Sequence, residues 1–296
     1  MIPQLCLGTA QFGTSYGITN HAGQVAELEV KALLDQAATV GIQWLDTAQA
    51  YGDAEAVLGR TLPKEHSFRI ISKLPAQNQR SFSEDDPPIW EEDFKSSCER
   101  IGVTHLDGLL LHNPVDLAKP GSEHLHFWLL SLRDRGLVKR LGVSIYEAQD
   151  LEGLPRELLD LVQLPLSLYD QRLLLNGTVS RLRSQGIAIH ARSLYLQGLL
   201  LISANRWPRW VDPVLRNHHH RLEAIAVQLG CRLLDFAISF ARDQSDLEGV
   251  VFGLCSRREL QELLASWTGI NPWRNGEWRT WHLSDSTILY PRRWPN

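Results

Sequence analysis

Eight short apolar segments recur along this chain of 296 residues, and they constrain its fold more than any other feature. The segments are residues 5–7, 43–45, 69–71, 108–111, 140–143, 161–164, 187–189 and 249–252. They are apolar at successive positions rather than at alternate ones, which is typical of strands buried on both faces of a parallel sheet. The sequence therefore predicts an α/β protein with a parallel sheet.

Helical patterns lie between these segments. Apolar residues recur at i, i+3, i+4 and i+7 within residues 30–37, 94–101, 222–229 and 260–267, and each stretch precedes a glycine that can end a helix. Strands that alternate with helices form either a (β/α)8 barrel or a doubly wound sheet. No GxGxxG motif follows the first segment, which disfavours a dinucleotide-binding doubly wound fold. We therefore predict a (β/α)8 TIM barrel.

A barrel of this kind often exceeds ~250 residues as one domain, so we predict a single domain over residues 1–296. The barrel is expected at about residues 4–268 and a C-terminal tail at about 269–296. Two stretches do not fit the alternation, the long loop 194–217 after the seventh segment and the tail, and both are rich in tryptophan. We expect the loop to contribute to specificity, as loops on the catalytic face do. For the tail, a functional role and a role in covering the barrel are both left open.

Charge and cysteine content exclude several classes of protein. The net charge of −4 gives no electrostatic reason to expect a nucleic acid or an anionic membrane as partner. The four cysteines are far apart and form no CxxC or CxH motif, which favours reduced thiols in a cytoplasmic protein. The N-terminus does not resemble a secretory signal, and no apolar run approaches the ~20 residues of a membrane span. We therefore expect a cytoplasmic protein, and its oligomeric state is left open.

Four polar side chains follow the ends of the first apolar segments. Asp46, Lys73 and His112 come at the ends of the second, third and fourth segments, and Tyr51 follows Asp46 by five residues. The carboxyl ends of the strands of a barrel meet on one rim, where active sites are built. The sequence therefore predicts that these four side chains gather in one cleft.

Together these four residues can support proton transfer to a carbonyl oxygen. A lysine cation favours the phenolate of a nearby tyrosine and so makes the phenol a better acid. A carboxylate offsets the cost of burying that lysine, and a histidine can hydrogen-bond a substrate carbonyl. None of the four is a reductant and the sequence shows no metal-ligand cluster, so a hydride would have to come from a cofactor.

The same residues match a known family. The segments LGTA at 7–10, DTA at 46–48, YG at 51–52 and GVS at 142–144 resemble those of the aldo-keto reductases, as do the strand ends at Lys73 and His112. Gln163, and Ser193 with QGLL at 197–200, resemble the same family. The resemblance covers residues 4 to 265 and implies a (β/α)8 barrel that reduces small-molecule aldehydes and ketones with a nicotinamide dinucleotide, usually NADPH.

The resemblance implies a role for each residue of the site. Tyr51 would be the general acid, Lys73 and Asp46 would tune it, and His112 would position the carbonyl. Ser144 and Gln163 would hold the nicotinamide carboxamide, residues 193–199 the pyrophosphate, and residues 253–262 the adenosine end, where helix N-terminal amides favour phosphate. The implied cofactor-binding residues are Gly8, Thr9, Asp46, Ser144, Gln163, Arg192, Ser193, Gln197, Gly198, Leu199, Gly253, Cys255, Ser256, Arg257, Glu259 and Glu262.

Several residues depart from the family pattern. Arg192 stands where the family often stacks an aromatic ring on the nicotinamide, and a planar guanidinium can stack similarly. The other departures are Ile145 for Asn, Leu194 for Pro, Glu259 for Gln or Arg, and Leu263 for Asn. Glu259 would repel a ribose 2′-phosphate, whereas Arg257 and Arg258 nearby could bind one. The expected cofactor is therefore NADPH/NADP+, with NADH as an alternative.

Two other functions remain open at the sequence level. One is a non-catalytic regulatory or partner-binding subunit that retains the cofactor, against which the complete set of acid and activator argues. The other is a metal-dependent barrel hydrolase with His112, His190 and Asp46 as ligands, although the chain lacks an HxH pair on one strand. The physiological substrate, the pathway and the direction of the reaction are not determined by the sequence.

Overall fold

The computed structural model describes residues 2–269, 271–273, 277–284 and 286–295. It forms a closed barrel of eight parallel strands in the order of the sequence, which confirms the predicted (β/α)8 fold. The strands are β1 (Gln4–Gly8), β2 (Trp44–Asp46), β3 (Arg69–Leu74), β4 (Gly108–Leu111), β5 (Leu141–Ser144), β6 (Leu161–Pro165), β7 (Ala188–Arg192) and β8 (Gly249–Gly253). Each strand contains most or all of one predicted apolar segment. Met1, at the start of the predicted domain, lies outside the described residues, as do Ile270 and Asn296 in the predicted tail.

Helices connect the strands and pack on the outside of the barrel. They are α1 (Ala10–Gly13), α2 (Glu27–Thr39), α3 (Ala54–Thr61), α4 (Asp86–Ile101), α5 (Ser122–Asp134), α6 (Arg172–Leu175), α7 (Thr178–Ser184), α8 (Pro213–Leu229), α9 (Leu233–Arg242), α10 (Arg257–Thr268) and α11 (Ser286–Leu289). As predicted, α4 and α8 end at Gly102 and Gly230, whose φ angles of 81° and 64° are left-handed. Gly269 ends α10 differently, in an extended conformation with φ −78°.

The successive apolar residues of each strand serve two different cores. In β4, Leu109 and Leu111 belong to the large outer core between the barrel and its helices. Leu110 points the other way and packs with Cys6, Trp44, Ile71 and Leu161 inside the barrel. Because side chains alternate between the two faces of a strand, burial on both faces requires an unbroken apolar run. This explains the pattern seen in the sequence.

The tail covers the outside of the barrel along most of its described length. Trp273 packs edge-on against Phe236 of α9, with ring centroids 4.7 Å apart, and its indole N–H donates to the Phe236 carbonyl at 2.9 Å. Trp278 packs in the same way on Phe240 of α9, at 5.2 Å. The tail's tryptophans in these positions therefore complete the hydrophobic packing of α9.

One part of the tail comes close to the rim formed by the carboxyl ends of the strands. The ring of Tyr290 stacks on that of Tyr146, in the loop after β5, with centroids 5.9 Å apart and an interplanar angle of 19°. The hydroxyl of Tyr290 also accepts a hydrogen bond from Arg172 at 2.8 Å. The packing along α9 supports the covering role of the tail, and the contact of Tyr290 places another part of the tail near the rim.

The described residues contain no single helix long and apolar enough to cross a membrane. Helices α8 and α9 meet the length and composition requirements only when they are taken together, and the chain bends by 95° between them.

Candidate active site

Five of the predicted site residues occupy one layer of the barrel interior. The apolar residues Cys6, Trp44, Ile71, Leu110 and Leu161 fill the barrel at mid-height. Residues two positions apart on a strand point to the same face. The residues directly above this layer are therefore those two positions further along the same chain: Gly8, Asp46, Lys73, His112 and Gln163.

Within this layer, Lys73 and Asp46 form a buried ion pair. The Lys73 ammonium donates to Asp46 Oδ1 at 2.6 Å and to the Thr47 carbonyl at 2.8 Å, and its side chain is 0% exposed. Burial acts to lower the pKa of Lys73, but the Asp46 carboxylate and the Tyr51 side chain outweigh burial and hold the pKa above its usual value. Lys73 is thus a permanently charged group inside the barrel.

Asp46 is fixed from several directions. Its second carboxylate oxygen, Oδ2, accepts a hydrogen bond from Gln163 Nε2 at 2.5 Å. Its main-chain carbonyl accepts from the Thr9 amide at 3.0 Å and from the Thr9 hydroxyl at 3.1 Å. Lys73 of β3 and Gln163 of β6 therefore hold the carboxylate, while Thr9, just after β1, holds the main chain of the same residue.

Tyr51 and His112 face each other above the ion pair. Their rings pack edge-on with centroids 5.8 Å apart, and Lys73 Nζ lies 5.0 Å from the centre of the Tyr51 ring. Gly13 permits this arrangement, because a Cβ at that position would lie 1.9 Å from the Tyr51 carbonyl oxygen. The prediction that these four polar residues gather is confirmed.

The imidazole of His112 is kept neutral by its surroundings. Burial lowers its pKa to about 4, and the positive charges of Lys73 and Arg192 act in the same direction. A neutral imidazole carries one N–H, so His112 can donate a hydrogen bond into the cleft without bringing a charge.

Three of the four residues, Asp46, Tyr51 and His112, line a cleft of about 710 Å³ together with Tyr16 and Tyr146. The lining also includes the start of α10, which follows β8, and in the closed barrel β8 lies opposite β4, the strand that precedes His112. The start of α10 is therefore the end of the cleft opposite His112. The cleft lining contains most of the predicted residues: Gly8, Thr9, Asp46, Tyr51, His112, Arg192, Ser193, Gln197, Gly198, Gly253, Cys255, Glu259 and Glu262. Lys73, Ser144 and Gln163 are buried in the barrel wall.

Three predicted residues lie elsewhere. Leu199 is fully buried in the outer core, and its carbonyl accepts the indole N–H of Trp207 at 2.9 Å. Ser256 begins α10, where its hydroxyl accepts the Glu259 amide at 3.2 Å. Arg257 lies on the side of α10 that faces α2, and its amide donates to Glu29 at 2.7 Å. Their neighbours along the chain line the cleft, but helix and turn geometry directs these three side chains elsewhere.

Arg192 forms part of the wall beside His112. Its guanidinium donates to the Ile145 carbonyl at 2.9 Å and to the hydroxyls of Ser193 at 3.1 Å and Ser144 at 3.4 Å. The guanidinium also lies over the Tyr146 ring, 4.2 Å from its centroid. These contacts hold Arg192 in a fixed orientation at this end of the cleft.

Sequence reasoning missed two tyrosines in the cleft. Tyr16 lies in the loop after α1 and lines the cleft. Tyr146 stands two residues beyond Ser144, the last residue of β5. The position of Tyr146 could have been found by extending the two-residue repeat past the end of the strand, whereas Tyr16 is brought in by a loop and gives no such signal.

The loop after β7 adopts an unusual backbone in the cleft. Ser193, Leu196 and Gln197 have φ angles of 62°, 47° and 55°, which non-glycine residues rarely adopt. The Gln197 carbonyl accepts the Ile18 amide at 3.1 Å, so this loop meets the loop of residues 14–23 across the cleft. Backbone strain of this kind is concentrated at functional sites.

The described residues offer no centre for a metal-dependent reaction. No group of three or more His, Cys, Asp and Glu among them could hold a metal ion. His190, which the hydrolase alternative requires, instead hydrogen-bonds Glu248 at 3.2 Å and lies 3.9 Å from Cys6 Sγ. That alternative therefore has no support in the structure.

The fold and site together define a (β/α)8 barrel with a buried Lys–Asp pair under a tyrosine and a histidine. The family model described as "Aldo/keto reductase family" matches residues 4–272. The chain therefore belongs to the aldo/keto reductase family, which confirms the resemblance seen in the sequence.

Individual relatives are similar over part of their length. The chain is 29% identical over 140 residues to an aldo-keto reductase of Mycolicibacterium vanbaalenii, covering 45% of this chain and 46% of the relative. It is 30% identical over 140 residues to one of Mycobacterium tuberculosis, covering 44% and 46%. The match thus spans about half the length of these curated relatives.

Solved structures resemble the whole barrel. A putative aldo-keto reductase of Pseudomonas aeruginosa has a TM-score of 0.65 at 19% identity over 90% of both chains. A thermostable aldo-keto reductase in complex with the inhibitor epalrestat has a TM-score of 0.68 at 20% identity, covering 95% of this chain and 94% of its own. At this level of identity the similarity concerns the fold.

Proposed function

We propose that this single-domain protein reduces the carbonyl group of a small-molecule aldehyde or ketone to an alcohol, with NADPH or NADH as hydride donor and Tyr51 as general acid. The observation that carries the proposal is the Lys73–Asp46 ion pair, 2.6 Å long and fully buried, with Lys73 Nζ 5.0 Å from the centre of the Tyr51 ring. Burying an ion pair is costly, and this one lies directly beneath the group whose acidity it would raise. Family membership supports the same reaction.

A buried residue beneath the cleft and the size of the cleft support the binding of a nicotinamide dinucleotide. Gln163 Oε1 is buried and has no hydrogen-bond partner among the described residues, while Gln163 Nε2 is fixed on Asp46. An unpaired buried acceptor is costly unless a ligand satisfies it, and a carboxamide N–H is suited to do so. The volume of about 710 Å³ is also in the usual range for ligand sites, roughly 300–1,000 Å³.

A nicotinamide bound at this end of the cleft would supply the hydride. The protein's own residues would direct the rest of the reaction. His112, being neutral, donates its N–H to the carbonyl oxygen and so orients and polarises the carbonyl. Tyr51 passes its hydroxyl proton to the same oxygen, the Lys73 ammonium stabilises the phenolate that remains, and Asp46 compensates the charge of Lys73.

The substitution Tyr51→Phe tests this proposal directly. It removes the proton donor and keeps the ring, so we expect kcat for carbonyl reduction to fall by about 10²- to 10⁴-fold while the cofactor still binds. Tyr169→Phe is the matched control, because it removes a buried phenolic oxygen that bonds His219 at 2.6 Å and lies outside the cleft. Activity would be measured on sugar aldehydes, keto acids and aromatic aldehydes with both NADPH and NADH.

Two results would contradict the proposal in different ways. Unchanged reduction by Tyr51→Phe would exclude the tyrosine as the acid. Tight cofactor binding by the wild-type protein without turnover on any substrate of the panel would instead favour a non-catalytic, cofactor-binding regulatory or partner subunit.

A further inference from the structure

The position of the catalytic groups determines which way a dinucleotide must lie in the cleft. The nicotinamide has to reach Tyr51 and His112, which line one end. The adenosine half of an extended dinucleotide must then lie towards the opposite end. That end is lined by Cys255, Glu259 and Glu262, at the start of α10.

Both acidic residues at this end face the cleft, and Glu259 is held there by the structure of the helix. Its Oε2 accepts the Cys255 amide at 2.7 Å, and its own amide donates to the Ser256 hydroxyl at 3.2 Å. The Ser256 bond caps α10, and the Cys255 bond ties the carboxylate to the main chain just before the helix, so turning the carboxylate away would cost the Cys255 amide this partner.

The arginine side chains do not line the cleft at the start of α10. Arg192 is the one lysine or arginine among the described residues that line the cleft, and it lies at the nicotinamide end beside His112. Arg257 faces Glu29 of α2. The side chain of Arg258 is 86% exposed and pairs with Glu262 at 2.9 Å. Neither of the arginines that could have bound a 2′-phosphate lines the cleft.

We infer that this cleft selects NADH over NADPH, because the carboxylates of Glu259 and Glu262 meet the adenosine ribose where a 2′-phosphate would stand. A carboxylate accepts a hydrogen bond from a ribose 2′-hydroxyl, whereas an arginine is the usual partner of a 2′-phosphate. A phosphate monoester carries about −1.5 to −2 charges at pH 7, and the Glu259 carboxylate, which pairs with no lysine or arginine among the described residues, would repel it. This inference rests on the proposed function, and it differs from the NADPH preference expected from the sequence.

Binding measurements on the full-length protein test the inference without relying on turnover. Titrations with NADH and NADPH at pH 8 should give a Kd at least about tenfold lower for NADH. ADP-ribose and its 2′-phosphorylated form should show the same preference, because they carry the adenosine end without the nicotinamide.

Glu259→Gln is the decisive variant. The glutamine can still accept the Cys255 amide, and the Ser256 cap of α10 is unchanged, so only the charge is lost. We expect the preference for NADH to fall about fivefold or more, through tighter NADPH binding. Glu152→Gln removes an exposed carboxylate outside the cleft lining and should leave the ratio of the two Kd values unchanged.

The possible failures can be told apart. Tighter binding of NADPH than of NADH by the wild-type protein, or an unchanged ratio in Glu259→Gln, would overturn the inference and leave the proposed function intact. Loss of NADPH binding in Arg258→Gln would also overturn it, since Arg258 would then be a phosphate ligand. Failure of both dinucleotides to bind would contradict the proposed function itself.

Discussion

The barrel contains two polar clusters of similar composition at its opposite ends. At the carboxyl ends of the strands, Asp46, Lys73, Tyr51 and His112 surround the opening of the cleft. At the amino ends, a second cluster also combines a histidine, a carboxylate, a cation and an aromatic ring: His190, Glu248, Arg140 and Trp44. By residue type alone, either cluster could be taken for an active site.

The two clusters differ in what their groups are free to do. Arg140 bonds Glu248 at 2.7 Å and lies over the Trp44 ring at 4.6 Å, and His190 Nε2 donates to Glu248 at 3.2 Å. Burial raises the pKa of the neighbouring Cys6 well above its usual value, so its thiol is not a nucleophile. Among the described residues, the cleft lining includes none of this cluster. Access to a cleft, more than residue type, distinguishes the reactive end from the sealed one.

The largest effect is expected when the cluster at the carboxyl ends of the strands loses its buried cation, Lys73. Lys73→Met leaves the Asp46 carboxylate buried without a counter-ion, so the free energy of unfolding should fall by about 3–5 kcal/mol. Urea denaturation at pH 7 measures this change. In the double variant Asp46→Leu/Lys73→Met neither charge remains, and much of the lost stability should return. A loss below about 1 kcal/mol in the single variant would show that the pair is not isolated from water.

An intermediate effect should come from the pH dependence of His112. Its folded-state pKa is about 4 against a usual value of 6.5, so between these pH values the unfolded chain binds a proton that the folded protein does not. Stability should therefore be lost as the pH falls from 6.5 to 4, by about 2 kcal/mol from this group. His112→Gln should remove that component. Urea denaturation at pH 7 and pH 4.5 compares the two proteins, and equal losses in both would exclude His112 as the source.

The smallest effect is expected in the cluster at the amino ends of the strands. The hydrogen bond from His190, with a further contribution from Arg140, lowers the pKa of Glu248 to about 2. The stability that this carboxylate contributes is therefore present above about pH 4.5 and is lost as the pH falls towards 2. Because Glu248 is 36% exposed, solvent screening limits it to about 1 kcal/mol or less.

In Glu248→Gln, the free energy of unfolding measured by urea denaturation should fall less as the pH is lowered from about 4.5 towards 2. The substitution should change kcat less than twofold. A tenfold fall in kcat would show that the sealed cluster influences the reaction, and the contrast between the two ends would no longer hold.

Much of the site was predictable because it follows from strand periodicity. A strand end is marked where an apolar run stops, and side chains two positions apart share a face. Asp46, Lys73 and His112 could therefore be assigned to one rim before any contact was known. Tyr16 could not, since it enters the cleft through an irregular loop. The direction of Arg257 was also inaccessible, because it depends on how α10 packs against α2.

The sequence by itself determined the eight strands, the helices between them and the residue types at the rim. Each of these follows from the spacing of apolar and polar residues a few positions apart. Only the tertiary structure decided which partners those residues have. Gln163 holds Asp46 across 117 residues of sequence, and Glu259 faces the cleft while the neighbouring Arg257 turns towards Glu29. Such choices depend on which groups folding brings within about 3 Å of one another, and local periodicity carries no information about them.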